Sequence, residues 1–106
     1  MNATAVDKPG QVLNMTICKR CFVSGRVQGV FYRDTTRQQA EKLQLSGYAK
    51  NLSDGRVEVV MCGTEISVEK LCDWLWTGSE YSSVSNVHCQ GIDLNDLGQS
   101  KKFLTI

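Results

Sequence analysis

No stretch of this sequence runs to about 18 consecutive apolar residues, so nothing in it reads as a membrane-spanning helix, and no membrane is expected as a partner. The opening MNATAVDKPGQVLN holds no apolar core of a secretory signal, so the cytoplasm is the expected location. Neither sign of charge dominates. Twelve Lys and Arg stand against eleven Asp and Glu, a net charge of +1, so no overall field draws the chain to nucleic acid or anionic lipid. Any preference for anions has to be local. Histidine is represented once, by His88, in text read as a strand, where a hydrogen-bonded structural role is expected. The cysteine count is odd: Cys18, Cys21, Cys62, Cys72 and Cys89. A secreted disulfide framework would more often pair an even number. Cys18-Lys19-Arg20-Cys21 matches C-x-x-C, but it lies in strand-like text, where positions three apart face opposite sides of a sheet. With no second such pair, no metal and no cofactor are expected, and the cysteines read as small buried apolar residues.

What is present fits one two-layer domain. A chain of 106 residues with 42% hydrophobic and 22% charged content can bury a single core. Residues 1–14 are polar, carry the lone proline, and read as a flexible tail, with the domain over 15–106. Ile17 to Arg26 has apolar side chains on both parities and reads as a central strand. Tyr32 to Leu45 is helical, with Tyr32, Thr36, Ala40 and Leu43 on one stripe and Gly47 placed as the residue after its cap. Tyr48 to Leu52 and Val57 to Cys62 form a hairpin about Ser53-Asp54-Gly55. Thr64 caps a second helix with the stripe Val68, Leu71, Cys72 and Leu75, ending at Gly78. Trp76 and Trp74 flank that stripe, and Trp76 is expected to be the more buried. Val84 to Ile92 is a fourth strand, Asp93 to Ser100 polar turn text, and Lys102 to Ile106 a short last strand or strand extension.

The order is β-α-β-β-α-β. Right-handed crossovers give an α+β sandwich of ferredoxin-like topology. It has a four-stranded antiparallel sheet in order 4-1-3-2 and both helices on one face.

The stretch VSGRVQGVFYR, Val23 to Arg33, joins the first strand to the first helix. It carries Gly25 and Gly29, with Arg26, Val27 and Gln28 between them and Val30 after. Such a turn points several backbone N–H groups into one concavity at the positive end of a helix dipole, which suits an oxyanion. Arg33 falls on the first helical turn, where a guanidinium can fork onto a phosphate. Spacing alone leaves open a plain tight turn with its arginine in water. Asn51 likewise reads either as a strand-end residue bonding the turn backbone or as a polar group with work to do.

Two stretches, GRVQGVFYR at Gly25 to Arg33 and GYAKNLSDGRVEVVMCG at Gly47 to Gly63, resemble the paired signatures of the acylphosphatases. The first keeps the glycine, the Val-Gln-Gly-Val core and the closing arginine, with Tyr32 where Phe is common. The second fills every position. The likeness covers Ile17 to Ile106. It implies hydrolysis of the carboxyl–phosphate bond of acyl phosphates, with Arg33 binding the phosphoryl group, the backbone of Arg26 to Val30 forming the cradle, and Asn51 orienting water. A small-molecule substrate and chemistry without a metal are what it leads one to expect, while the small size and the lack of an obvious apolar surface stripe make a monomer the expected state. A non-catalytic phosphate-binding or regulatory module would keep the cradle without Asn51. An RNA-recognition module would need exposed aromatics where this chain has Val57, Val59 and Met61. The topology also sets the first and third strands side by side and antiparallel, which brings Cys18 near Cys62. A disulfide is allowed there if the Cβ atoms face each other, while a reducing cytosol favours free thiols.

Overall fold

The computed structural model describes residues 15–93 and 101–106. The tail at 1–14 and most of the expected turn at 93–100 lie outside the described residues. The elements run β1 (Ile17–Arg26), α1 (Tyr32–Lys42), β2 (Ser46–Asn51), β3 (Val57–Gly63), α2 (Glu65–Thr77), β4 (Ser83–Ile92) and β5 (Phe103–Thr105). The sheet order is β4-β1-β3-β2-β5. The expected 4-1-3-2 arrangement is therefore present, with a fifth strand added at the β2 edge. Because β5 pairs with β2 in parallel, Gly47 opposite Phe103, the sheet is mixed and not purely antiparallel. Phe103, 4% exposed, closes the core under that edge.

Strand parity divides the molecule into a covered and an open face. Cys21 and Val23 on β1, Val57, Val59 and Met61 on β3, and Ala49 on β2 meet Val68, Leu71 and Leu75 of α2 and Tyr32 and Ala40 of α1 in one cluster. Burial of these side chains, worth roughly 1.5–3 kcal/mol for each large one, is what docks the helices. Thr64 caps α2 as expected, its hydroxyl accepting from the Ser67 N–H at 3.3 Å, and Gly78 ends it at φ 70°.

Three expectations are corrected. The first helix stops at Lys42, and Gln44, at φ 59°, takes the left-handed turn assigned to Gly47. Gly47 sits instead within β2, where a Cβ would run into the Val60 carbonyl oxygen. Trp74, not Trp76, is the better covered tryptophan. Its ring lies 5.9 Å from that of Tyr32, whereas Trp76, on the flank without a neighbouring element, is 52% exposed. The cysteines are not simply small apolar residues: Cys18 is bridged to Cys62, the pairing that the topology allowed, and Cys21 to Cys89, a pairing not expected, leaving Cys72 free. Both pairs are direct partners in the sheet register, with Cα atoms 4.2 and 4.0 Å apart. As strand parity requires, the first bridge lies on the open face and the second on the face covered by helices.

Candidate active site

The strand–helix loop is shaped by backbone that few side chains tolerate. Gly25, at φ 122°, sits at the register shift between β1 and β4, and a Cβ there would strike the Ser83 carbonyl oxygen. Gly29 follows at φ 75° and Phe31 at φ 62°, the latter a left-handed non-glycine residue at the helix cap. Held left-handed conformations of this kind collect at functional loops because the surroundings must compensate for them. No main-chain acceptor among the described residues takes a hydrogen bond from the N–H of Val27, Gln28, Gly29, Val30 or Phe31. Five successive donors are therefore left for a ligand or solvent, at the positive end of α1.

Two side chains hold the loop in place from either side. Gln28 Nε2 donates to the carbonyls of Leu52 and Arg56, at 2.8 and 2.9 Å, tying the loop to the β2–β3 hairpin. The buried Ser79 hydroxyl donates to the Val30 carbonyl at 2.7 Å, tying it to the end of α2. Below them, Tyr32 is buried and its hydroxyl donates to the Leu75 carbonyl at 2.7 Å, filling an acceptor that the last turn of α2 leaves open. Burial pushes the Tyr32 phenol well above its usual pKa, so it stays a neutral donor.

A cavity of about 290 Å³ opens between this loop and the end of β2, lined by Val27, Gly29, Tyr32, Arg33, Asn51 and Thr105 among others. The structure thus brings Arg33, Asn51 and the loop into one pocket. The Arg33 Nη1 donates to the Ile106 main-chain oxygen at 2.6 Å, and no ion pair among the described residues includes it. Its acidic neighbour Asp34 is turned to Arg37 and Gln38. The hydrogen bond from Arg37 is the main reason the Asp34 carboxyl lies below its usual pKa. One Arg33 donor is in use, so others of its five remain for an anion. The Oδ1 atom of Asn51 is buried and has no hydrogen-bond partner among the described residues. A buried amide oxygen without a donor is uncommon and costly, and Asn51 is among the residues that line the cavity.

Arg26, whose side chain was given no chemical role, is exposed at the loop's entrance. Thr105 and Ile106 belong to the site and went unread. They reach it only because β5 pairs beside β2, a contact across more than fifty residues that no local pattern announces.

A family model described as Acylphosphatase matches residues 19–103. An acylphosphatase of Coxiella burnetii (strain Dugway 5J108-111) is 49% identical over 79 residues, 74% of this chain and 83% of its own length. One of Chromohalobacter salexigens is 48% identical over 73 residues, 69% of this chain and 81% of its own length. Among solved structures, an acylphosphatase from Coxiella burnetii superposes with a TM-score of 0.80 at 40% identity, covering 98% of this chain and all of that one. The acylphosphatase from Bacillus subtilis gives 0.78 at 31% identity, covering 87% and 99%. With signature loop, sheet order and relatives in agreement, this chain belongs to the acylphosphatase family.

Proposed function

We propose that the pocket hydrolyses acyl phosphates to a carboxylate and inorganic phosphate, with the loop amides and Arg33 holding the phosphoryl group and Asn51 aiming the water. The activity follows the family. The residue roles rest on the geometry, and the observation that carries them is the orphaned Asn51 Oδ1 beside five unpaired N–H groups. In phosphoryl transfer the charge spreads over the equatorial oxygens, so positioning and fixed donors supply most of the rate. The loop and the Arg33 fork meet those oxygens. Asn51 Oδ1 accepts a hydrogen bond from the attacking water and sets its oxygen in line with phosphorus. The P–O bond to the acyl group breaks, and the carboxylate leaves without a general acid because it is already a weak base. The proton released by the water passes to a phosphoryl oxygen, since an amide is no base.

Turnover of benzoyl phosphate, measured with EDTA present, tests this reading. Asn51→Ala and Arg33→Ala are each expected to lower kcat by about a hundredfold or more, the scale of losing one transition-state donor, with far-UV circular dichroism unchanged. Full kcat in Asn51→Ala would remove the water-aiming role. The chain is taken as a monomer acting on a small molecule, which light scattering after size exclusion checks.

A further inference from the structure

Away from the anion pocket, the covered face holds a second concentration of reactive atoms. The Sγ atoms of Cys21, Cys72 and Cys89 lie within 4.8 Å of one another. They come from β1, α2 and β4. Cys72 Sγ is 3.9 Å from Cys21 Sγ and 3.7 Å from the Met61 Sδ atom of β3. Four sulfurs from four different elements therefore converge between sheet and helix, and none of these residues lines the anion pocket.

We propose that the reduced chain binds one monovalent copper ion through Cys21, Cys72 and Cys89, with the Met61 thioether beside it. Thiolate–metal bonds of roughly 2.3 Å set the sulfurs of a trigonal site about 4 Å apart by simple geometry. The Cys21–Cys72 edge already has that length, while the Cys21 and Cys89 sulfurs, covalently joined in this structure, must part on reduction to reach it. The donor set is entirely soft: the group contains no carboxylate and no imidazole. Thiolate and thioether together select copper(I) over hard cations. Structural zinc sites take four Cys, His or carboxylate ligands, and a thioether in the remaining position fits them poorly. Cys72 and Cys89 are partly exposed, which gives an ion a way in, while Cys21 and Met61 are fully buried and fix the inner wall.

The Cys21–Cys89 bridge and the ion exclude each other, because both use the same two sulfurs. A phosphine reductant with water opens the bridge. The phosphine leaves as its oxide and the two sulfurs as thiols. Copper(I) then takes the thiolates without changing oxidation state, and the displaced protons pass to solvent. The site is thereby gated by the redox state of one bond.

The experiment uses the full chain carrying Cys18→Ser and Cys62→Ser, so that the open face contributes no sulfur. It is reduced with a phosphine, desalted without oxygen, and titrated with copper(I) against a chromophoric copper(I) chelator. One ion per chain and sulfur-only ligation by X-ray absorption are expected. Cys72→Ser on the same background should weaken binding by more than about tenfold, the scale on which even supporting groups act at metal sites. The same protein with its Cys21–Cys89 bridge closed should lose the site, with far-UV circular dichroism of both the bridged and the reduced forms matching the parent chain. Failure of the reduced chain to compete for copper(I), equal binding by the bridged form or by Cys72→Ser, or tighter binding of zinc than of copper(I) would each overturn the proposal.

Discussion

Gln28 shows how one side chain can tie a loop to a neighbouring hairpin. Its Nε2 group donates to the carbonyls of Leu52 and Arg56, in the turn that follows Asn51, so under the proposed mechanism it holds the loop in register with Asn51. Gln28→Ala deletes both bonds and leaves Leu52 and Arg56 acceptors unpaired. A loss of about 1–2 kcal/mol in urea unfolding is expected, with a larger relative fall in kcat than in stability because alignment is lost at both ends. Tyr32 makes the complementary case. Tyr32→Phe removes one buried hydrogen bond to Leu75 but keeps the ring against Trp74, so about 1 kcal/mol of stability should go while kcat stays close to the parent value. The two glycines and Arg33 stood out by their spacing, whereas Asn51 was singled out only by the resemblance to the acylphosphatase signatures; that these residues share one pocket is what the structure adds. The Ser79 bond to Val30, the approach of Ile106 to Arg33 and the pairing of Cys21 with Cys89 were not legible in the sequence, since each joins segments separated by 49 residues or more. Knowing that two strands are neighbours does not give their register.

At the level of elements, the helices and the first four strands followed from periodicity. Their ends and flanks did not. Gln44 instead of Gly47 took the left-handed position, because Gly47 was needed where β2 passes close under the Val60 carbonyl. Whether Trp74 or Trp76 is covered depends on where α1 lies beside α2, which the periodicity of α2 alone cannot tell. The loop between β1 and α1 invites its own test. Gly29 has open space around a notional Cβ, so only its φ of 75° opposes a side chain there. Gly29→Ala should cost about 1 kcal/mol of stability and a disproportionate share of phosphate affinity, measured by inhibition with inorganic phosphate. Gly25→Ala adds a collision with the Ser83 carbonyl and should be the more damaging of the two in the same unfolding assay.

For the molecule as a whole, the two bridges set the expectation of free thiols in a reducing cytosol against a covalent pattern typical of oxidising surroundings. Denaturation in alkylating agent without reductant, followed by mass spectrometry, should modify one cysteine of the five, Cys72. Replacing Cys18 and Cys62 with serine opens a 44-residue loop and should lower stability by about 2–4 kcal/mol.

Both bridges grip β1, one from each side of the sheet. Under tension applied at the two ends of the oxidised chain, the covalent path would leap from Cys21 straight to Cys89, a sequence separation of 68, and bypass everything between. Some ~240 Å of slack, at about 3.5 Å for each extended residue, would stay locked until a reductant reached the sulfurs. The phosphate loop, both helices and the hairpin all lie inside that sheltered length, whereas Thr105 and Ile106, at the pulled end, would be drawn off the pocket and off Arg33 first.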